Sequence, residues 1–145
     1  MSSMHRTIEG EVLVRHLTRD EWMIDPVLLA EHGRSGRTLV KDGPLRLTIV
    51  AVAPGGVLPP HSTDGGPITI HVLDGAILVE ALGRDYPLGT GDLVALAPGV
   101  EHSVRSAGGG VFLLTVVHEP SAGSRLPPGL HPAVPTKPID AEPRR

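Results

Sequence analysis

Between residues 37 and 118, apolar and polar positions alternate over short runs, and Gly, Pro and Asp-Gly pairs separate the runs. This period-two pattern predicts half-buried strands. Residues 37–41 (RTLVK), Asp42-Gly43 and residues 45–53 (LRLTIVAVA) predict one hairpin. Residues 68–73 (ITIHVL), Asp74-Gly75 and residues 76–82 (AILVEAL) predict a second, whose two-residue loop needs left-handed backbone that Asp and Gly tolerate. Residues 93–97, 101–106 and 111–117 add further strands, with Gly108, Gly109 and Gly110 making the last turn. Strands recurring at roughly 8–12 residues predict a sandwich or closed barrel. No long 3.6-residue pattern interrupts them, which argues against a parallel α/β sheet.

The flanks read differently. Residues 1–36 form an N-terminal extension with a short strand at 11–17 (EVLVRHL). Thr18 or Asp20 caps a short helical stretch carrying Trp22, and Pro26 opens a further turn through Val27 to Ala30, ended by Gly33 and Gly36. Residues 119–145 carry seven prolines and few large apolar side chains. Such a segment buries too little surface to offset its ordering entropy, so a disordered or extended tail is expected. The alternative is a strap along the barrel or a neighbouring subunit, anchored by Leu126, Leu130 and Val134. The expected organisation is therefore an extension (1–36), a barrel (37–118) and a Pro-rich tail (119–145).

Composition narrows the function classes. Trp22, Tyr86 and Phe112 are the only aromatics among 145 residues, so the core is built from Val, Leu, Ile and Ala. Base-stacking platforms are missing, and a net charge of −3 offers no basic footprint for nucleic acid or anionic membranes. The absence of cysteine excludes disulfides, thiolate chemistry and Cys-ligated zinc. No stretch approaches the roughly 18 apolar residues of a membrane span, and Met1 to Val14 shows no secretory pattern. A cytoplasmic protein without nucleic-acid or membrane partners is expected.

Two histidines occupy matching settings. His61 follows Gly55-Gly56-Val57-Leu58-Pro59-Pro60, and His102 follows Gly91-Asp92, an apolar run, and Pro98-Gly99-Val100-Glu101. Each is expected near the start of a strand, preceded by Gly and Pro that force a tight entry. An antiparallel barrel can bring both imidazoles to one end of its interior, and neutral imidazole is a common metal ligand.

These stretches resemble the two sequence motifs of the cupin superfamily. The first, G-x5-H-x-H-x(3,4)-E-x6-G, is matched at Gly55, His61 and Gly75. The second, G-x5-P-x-G-x2-H-x3-N, is matched at Gly91, Gly99 and His102, with Pro98 one place late. The resemblance covers about residues 45–117 and implies an all-β fold, the double-stranded β-helix or jelly-roll barrel. It also implies a mononuclear metal in the barrel mouth, dioxygenase, isomerase or decarboxylase chemistry, and a dimer joined through sheet faces or exchanged terminal strands. Thr63 stands where the second His would be, Ile68 where the Glu would be, and Ser106 replaces the Asn. Two of four ligands remain, fewer than the three protein donors of an ordinary catalytic zinc site.

His71 is the candidate third ligand. Alternation puts Ile68, Ile70 and Val72 on one strand face and Thr69 and His71 on the other, so His71 reaches the site only if a bulge near Gly65-Gly66-Pro67 reverses the parity. Thr63 and Asp64 could line the mouth, or serve as turn residues. Glu101 is expected on the solvated rim and Asp92 in turn chemistry. His5, His16, His32, His118 and His131 are expected at the surface.

Three functions fit. The favoured one is a small-molecule binding or sensing module using His61 and His102 as polar contacts, with Thr63, Asp64, Ile68 and Ile70 lining the pocket. The second is a metal-dependent enzyme, with His61, His102 and His71 holding one divalent Fe, Mn, Ni or Zn. In the third, the two histidines only fill the barrel. The cofactor is thus one transition metal or none, and a homodimer is expected.

Overall fold

The computed structural model describes residues 12–17, 22, 25–62 and 66–118. One helix, α1 (Pro26–His32), precedes eight strands. Its limits follow from its end residues. Asp25 Oδ1 accepts the N–H groups of Val27 (2.9 Å) and Leu28 (3.2 Å), and Pro26 starts the first turn, where its missing N–H costs nothing. Gly33 closes the helix at φ +76, donating its N–H to the Leu29 carbonyl. The strand expected at 11–17 is not formed: residues 12–17 carry no regular structure, and Val12 and Val14 are exposed.

The strands are β1 (Arg34–Asp42), β2 (Leu45–Val52), β3 (Val57–His61), β4 (Ile68–Ala81), β5 (Arg84–Gly89), β6 (Leu93–Leu96), β7 (His102–Arg105) and β8 (Gly110–Val117). All pairings are antiparallel. One sheet runs β1-β2-β8-β4-β6 through the first half of β4, and the other runs β3-β7-β4-β5 through its second half. This curled arrangement is the expected jelly-roll, and the predicted β1–β2 hairpin forms with Asp42 opposite Leu45.

The second predicted hairpin does not form. Residues 68–75 pair with β8, and residues 76–81 pair with β5 and β7, never with each other. Asp74-Gly75 instead marks where one continuous strand folds from the first sheet into the second. Gly75 (φ +87) has no room for a side chain, because a Cβ there would lie 2.4 Å from the Gly109 carbonyl oxygen and 2.8 Å from the Gly110 Cα. The two-residue hairpin sits further on, at Leu82-Gly83, with φ +53 and +74. It leads into β5, a strand that Gly83, Pro87 and Gly89 hide from a propensity reading.

Strand alternation builds two apolar layers. Val50, Val52, Ile68, Ile70, Val72, Leu96, Phe112 and Val116 of one sheet meet Ile77, Val79, Ala81 and Val104 of the other in a single interior core. The opposite face of the first sheet packs Ile49, Ala51 and Val111 with Leu39 and Trp22. Along β2, even-numbered positions therefore face inward and odd-numbered ones outward.

Candidate functional site at the barrel mouth

Two rows of paired residues define one end of the barrel. In the second sheet His61 pairs with His102, and His102 with Ala81. In the first sheet Arg46 pairs with Val116, Val116 with Ile68, and Ile68 with Leu96. Short connections join the rows, from His61 to Ile68 and from Leu96 to His102, so both rows lie at the same end.

The rings of His61 and His102 lie 4.6 Å apart between centroids, tilted by 54°. The local sequence explains their aim. His61 Nδ1 is 3.2 Å from the Pro59 carbonyl oxygen, and His102 Nδ1 is 3.0 Å from that of Val100, each two residues back. A carbonyl can only accept, so each Nδ1 carries a proton, and in the neutral ring Nε2 keeps the lone pair. His61 is exposed, whereas His102 is 4% exposed. Burial lowers the His102 pKa below its ordinary 6.5. The Val100 carbonyl opposes that shift, and the neighbouring His61 adds to it. Burial thus favours the neutral form of His102, whose Nε2 is an acceptor.

The remaining candidates fall elsewhere. His71 is a correction: it pairs with Leu93 and Leu113, and Leu113 packs in the outer layer. Its parity is unreversed, because the irregularity in β4 comes after it, between Val72 and Asp74. Ile68 and Ile70 do face inward but are closed into the core, at 3% and 1% exposure. Thr63 and Asp64 lie outside the described residues. Asp92 Oδ2 accepts the Gly89 N–H at 2.9 Å, a turn role, and Glu101 is exposed. Ser106, in place of the motif Asn, donates to the Ala76 carbonyl (2.6 Å) and accepts the Gly109 N–H (2.8 Å), tying the β7–β8 connection to the fold of β4. His16, His32 and His118 are exposed.

Among the described residues the donor set does not fit a metal: no three His, Cys, Asp or Glu side chains gather as ligands, and Ile68 contributes hydrocarbon where a carboxylate would stand. Two imidazoles fall short of the three protein donors that hold a catalytic ion.

One residue escaped the sequence reading. Arg46 has the inward parity of β2, and its Nε is buried without a hydrogen-bond partner. Its signal was a single charge at an even position of LRLTIVAV, visible only once that parity is known. Separately, a cleft of about 440 Å³ lined by Leu28, His32, Arg34, Gly36, Val50 and Leu58 opens where the edges of β1 and β3 are not joined.

A family model described as the cupin domain matches residues 48–118. No curated protein matches the sequence. Among solved structures, a conserved protein of unknown function from Streptococcus pyogenes superposes with a TM-score of 0.64 at 21% identity, over 80% of this chain and 97% of that one. A conserved protein with a double-stranded β-helix domain from Klebsiella pneumoniae gives 0.63 at 19% identity, over 72% and 90%. A predicted oxalate decarboxylase from Thermotoga maritima gives 0.55 at 20% identity, over 59% and 81%. At these identities the likeness is one of fold.

Proposed function

The chain belongs to the cupin superfamily, and from that premise we propose that it binds a small organic molecule at the barrel mouth through His61 and His102, without a resident metal. The observation that supports this is the matched pair of Nε2 acceptors, each fixed by an Nδ1–H donated to a carbonyl two residues earlier. A ligand O–H or N–H can donate to either Nε2 without that ring having to reorient, so little entropy is lost on binding. Ala81, opposite His102 in the ladder, and the apolar interior behind it give the mixed polar and apolar surroundings usual in small-molecule sites.

The test combines elemental analysis of untagged protein with imidazole NMR. The expected result is substoichiometric Fe, Mn, Ni and Zn after incubation with their salts, and ligand-dependent shifts of the His61 and His102 ring resonances. About one tightly held transition metal per chain, lost in His102→Ala, would replace this reading with that of a metal-dependent enzyme.

A further inference from the structure

The inner face of β2 runs Val52, Val50, Thr48, Arg46 toward the mouth, so its one charge lies in the row of Val116, Ile68 and Leu96, at the end that holds the histidine pair. Arg46 is half-buried and its Nε is enclosed, with no hydrogen-bond partner. Its cross-strand partner is Lys41. Like charges directly opposite each other destabilise a ladder. Nothing among the described residues relieves this pair, since no described carboxylate lies within 4.0 Å of either. Arg105 shows the contrast, with Glu80 at 3.9 Å and Asp85 at 4.0 Å. A half-buried guanidinium beside Val116 without a counter-ion costs stability. Two positive charges at the mouth also repel a divalent cation and attract an anion.

Resting on the small-molecule role proposed above, we infer that the ligand class is a small hydroxy acid, with its carboxylate on Arg46 and its hydroxyl donating to Nε2 of His61 or His102. The chemistry is complementary at both ends. Arg supplies only donors, in a fork that matches a carboxylate, while neutral imidazole Nε2 supplies only an acceptor. A neutral polyol satisfies the histidines and leaves the guanidinium unpaired. A carboxylate lacking a hydroxyl does the reverse.

The experiment titrates the full chain with glycolate, lactate and malate, and separately with the neutral analogues ethylene glycol, propane-1,2-diol and butane-1,2,4-triol. Imidazole NMR and thermal shift are the readouts. The hydroxy acids are expected to move the His61 and His102 resonances and raise Tm more than the neutral analogues do. Arg46→Gln should weaken the acids roughly tenfold to a hundredfold, the range for a lost hydrogen bond to a charged group, with Arg46→Lys in between. Arg46→Met guards against a folding artefact: without ligand its Tm should equal or exceed wild type, while the acid-induced rise disappears. Equal response to acids and neutral analogues, or unchanged acid affinity in Arg46→Gln, overturns the hydroxy-acid assignment and leaves binding at the histidine pair standing. A large loss of Tm in both Arg46→Met and Arg46→Gln overturns it in favour of a structural arginine. Silence of the imidazoles toward every probe overturns both readings.

Discussion

His61 and His102 sit directly opposite each other across the β3–β7 ladder, ring centroids 4.6 Å apart, although about 40 positions separate them in the chain. The register of two short strands therefore sets the spacing of the two Nε2 atoms, and each ring is held by its own carbonyl two residues back. Truncating either imidazole leaves the other in place. Removing the ring that accepts the ligand hydroxyl, in His61→Ala or His102→Ala, should weaken hydroxy-acid binding by roughly two- to tenfold, a lost neutral hydrogen bond. His71→Ala, on the far face of β4, should leave it unchanged. Calorimetric titration of the three variants checks this.

Stability should depend on the protonation of His102. Its folded pKa lies below the unfolded value near 6.5, mainly because burial disfavours the imidazolium. The unfolded chain then binds the extra proton at higher pH than the folded one does. Stability contributed by the neutral ring is full above the unfolded pKa and falls as the pH drops through the window beneath it. Urea midpoints should decline from about pH 7.5 to about pH 5 in wild type, with a shallower decline in His102→Ala. Parallel slopes would assign the pH dependence to other groups.

Leu82 holds a left-handed conformation, φ +53, at the first position of the β4–β5 turn, with its side chain 79% exposed. A branched side chain gains nothing there and strains the backbone. Leu82→Asn should stabilise by about 1 kcal/mol, read as a higher urea midpoint at unchanged m.

Gly75 presents the opposite case. Its φ is +87, and a Cβ added there would stand only 2.4 Å from the Gly109 oxygen, which leaves no space for a methyl group. Gly75→Ala should cost at least about 2 kcal/mol. A melting curve matching wild type would mean that the fold-over relaxes freely.

Val12 and Val14 are 77% and 68% exposed on a segment that pairs with no described strand of its own chain, and Leu93 on the edge strand β6 is 58% exposed. Apolar surface of this kind favours self-association. Sedimentation of the full chain should show a homodimer at micromolar concentration, and Val12→Asp with Val14→Asp should shift it toward monomer.

Most strands and the histidine pair were legible in the sequence because both rest on local chemistry: alternation for the strands, motif spacing for His61 and His102. β3 was missed, and His61 ends it instead of opening a strand, because Pro59 and Pro60 suppress its strand propensity. The destination of Asp74-Gly75 was not. The dipeptide satisfies a hairpin turn and a fold between sheets equally well, and only the packing of Gly109 and Gly110 against Gly75 decides between them. β5 was hidden because Pro87 and two glycines suppress strand propensity in a segment stabilised by its neighbour. Arg46 went unremarked because its meaning depends on which face of β2 is inward, a property that the outer layer of Trp22 and Leu39 makes ambiguous. An apolar β2 buried on both faces reads as a continuous run rather than an alternation.

Because β4 is one strand shared by both sheets, neither sheet can open alone. Separating either half frees the register of the other, so the amides of Val72 and Val79 belong to one cooperative unit. Their hydrogen exchange should converge on a single opening free energy, and a ligand seated at the mouth should slow both by the same factor.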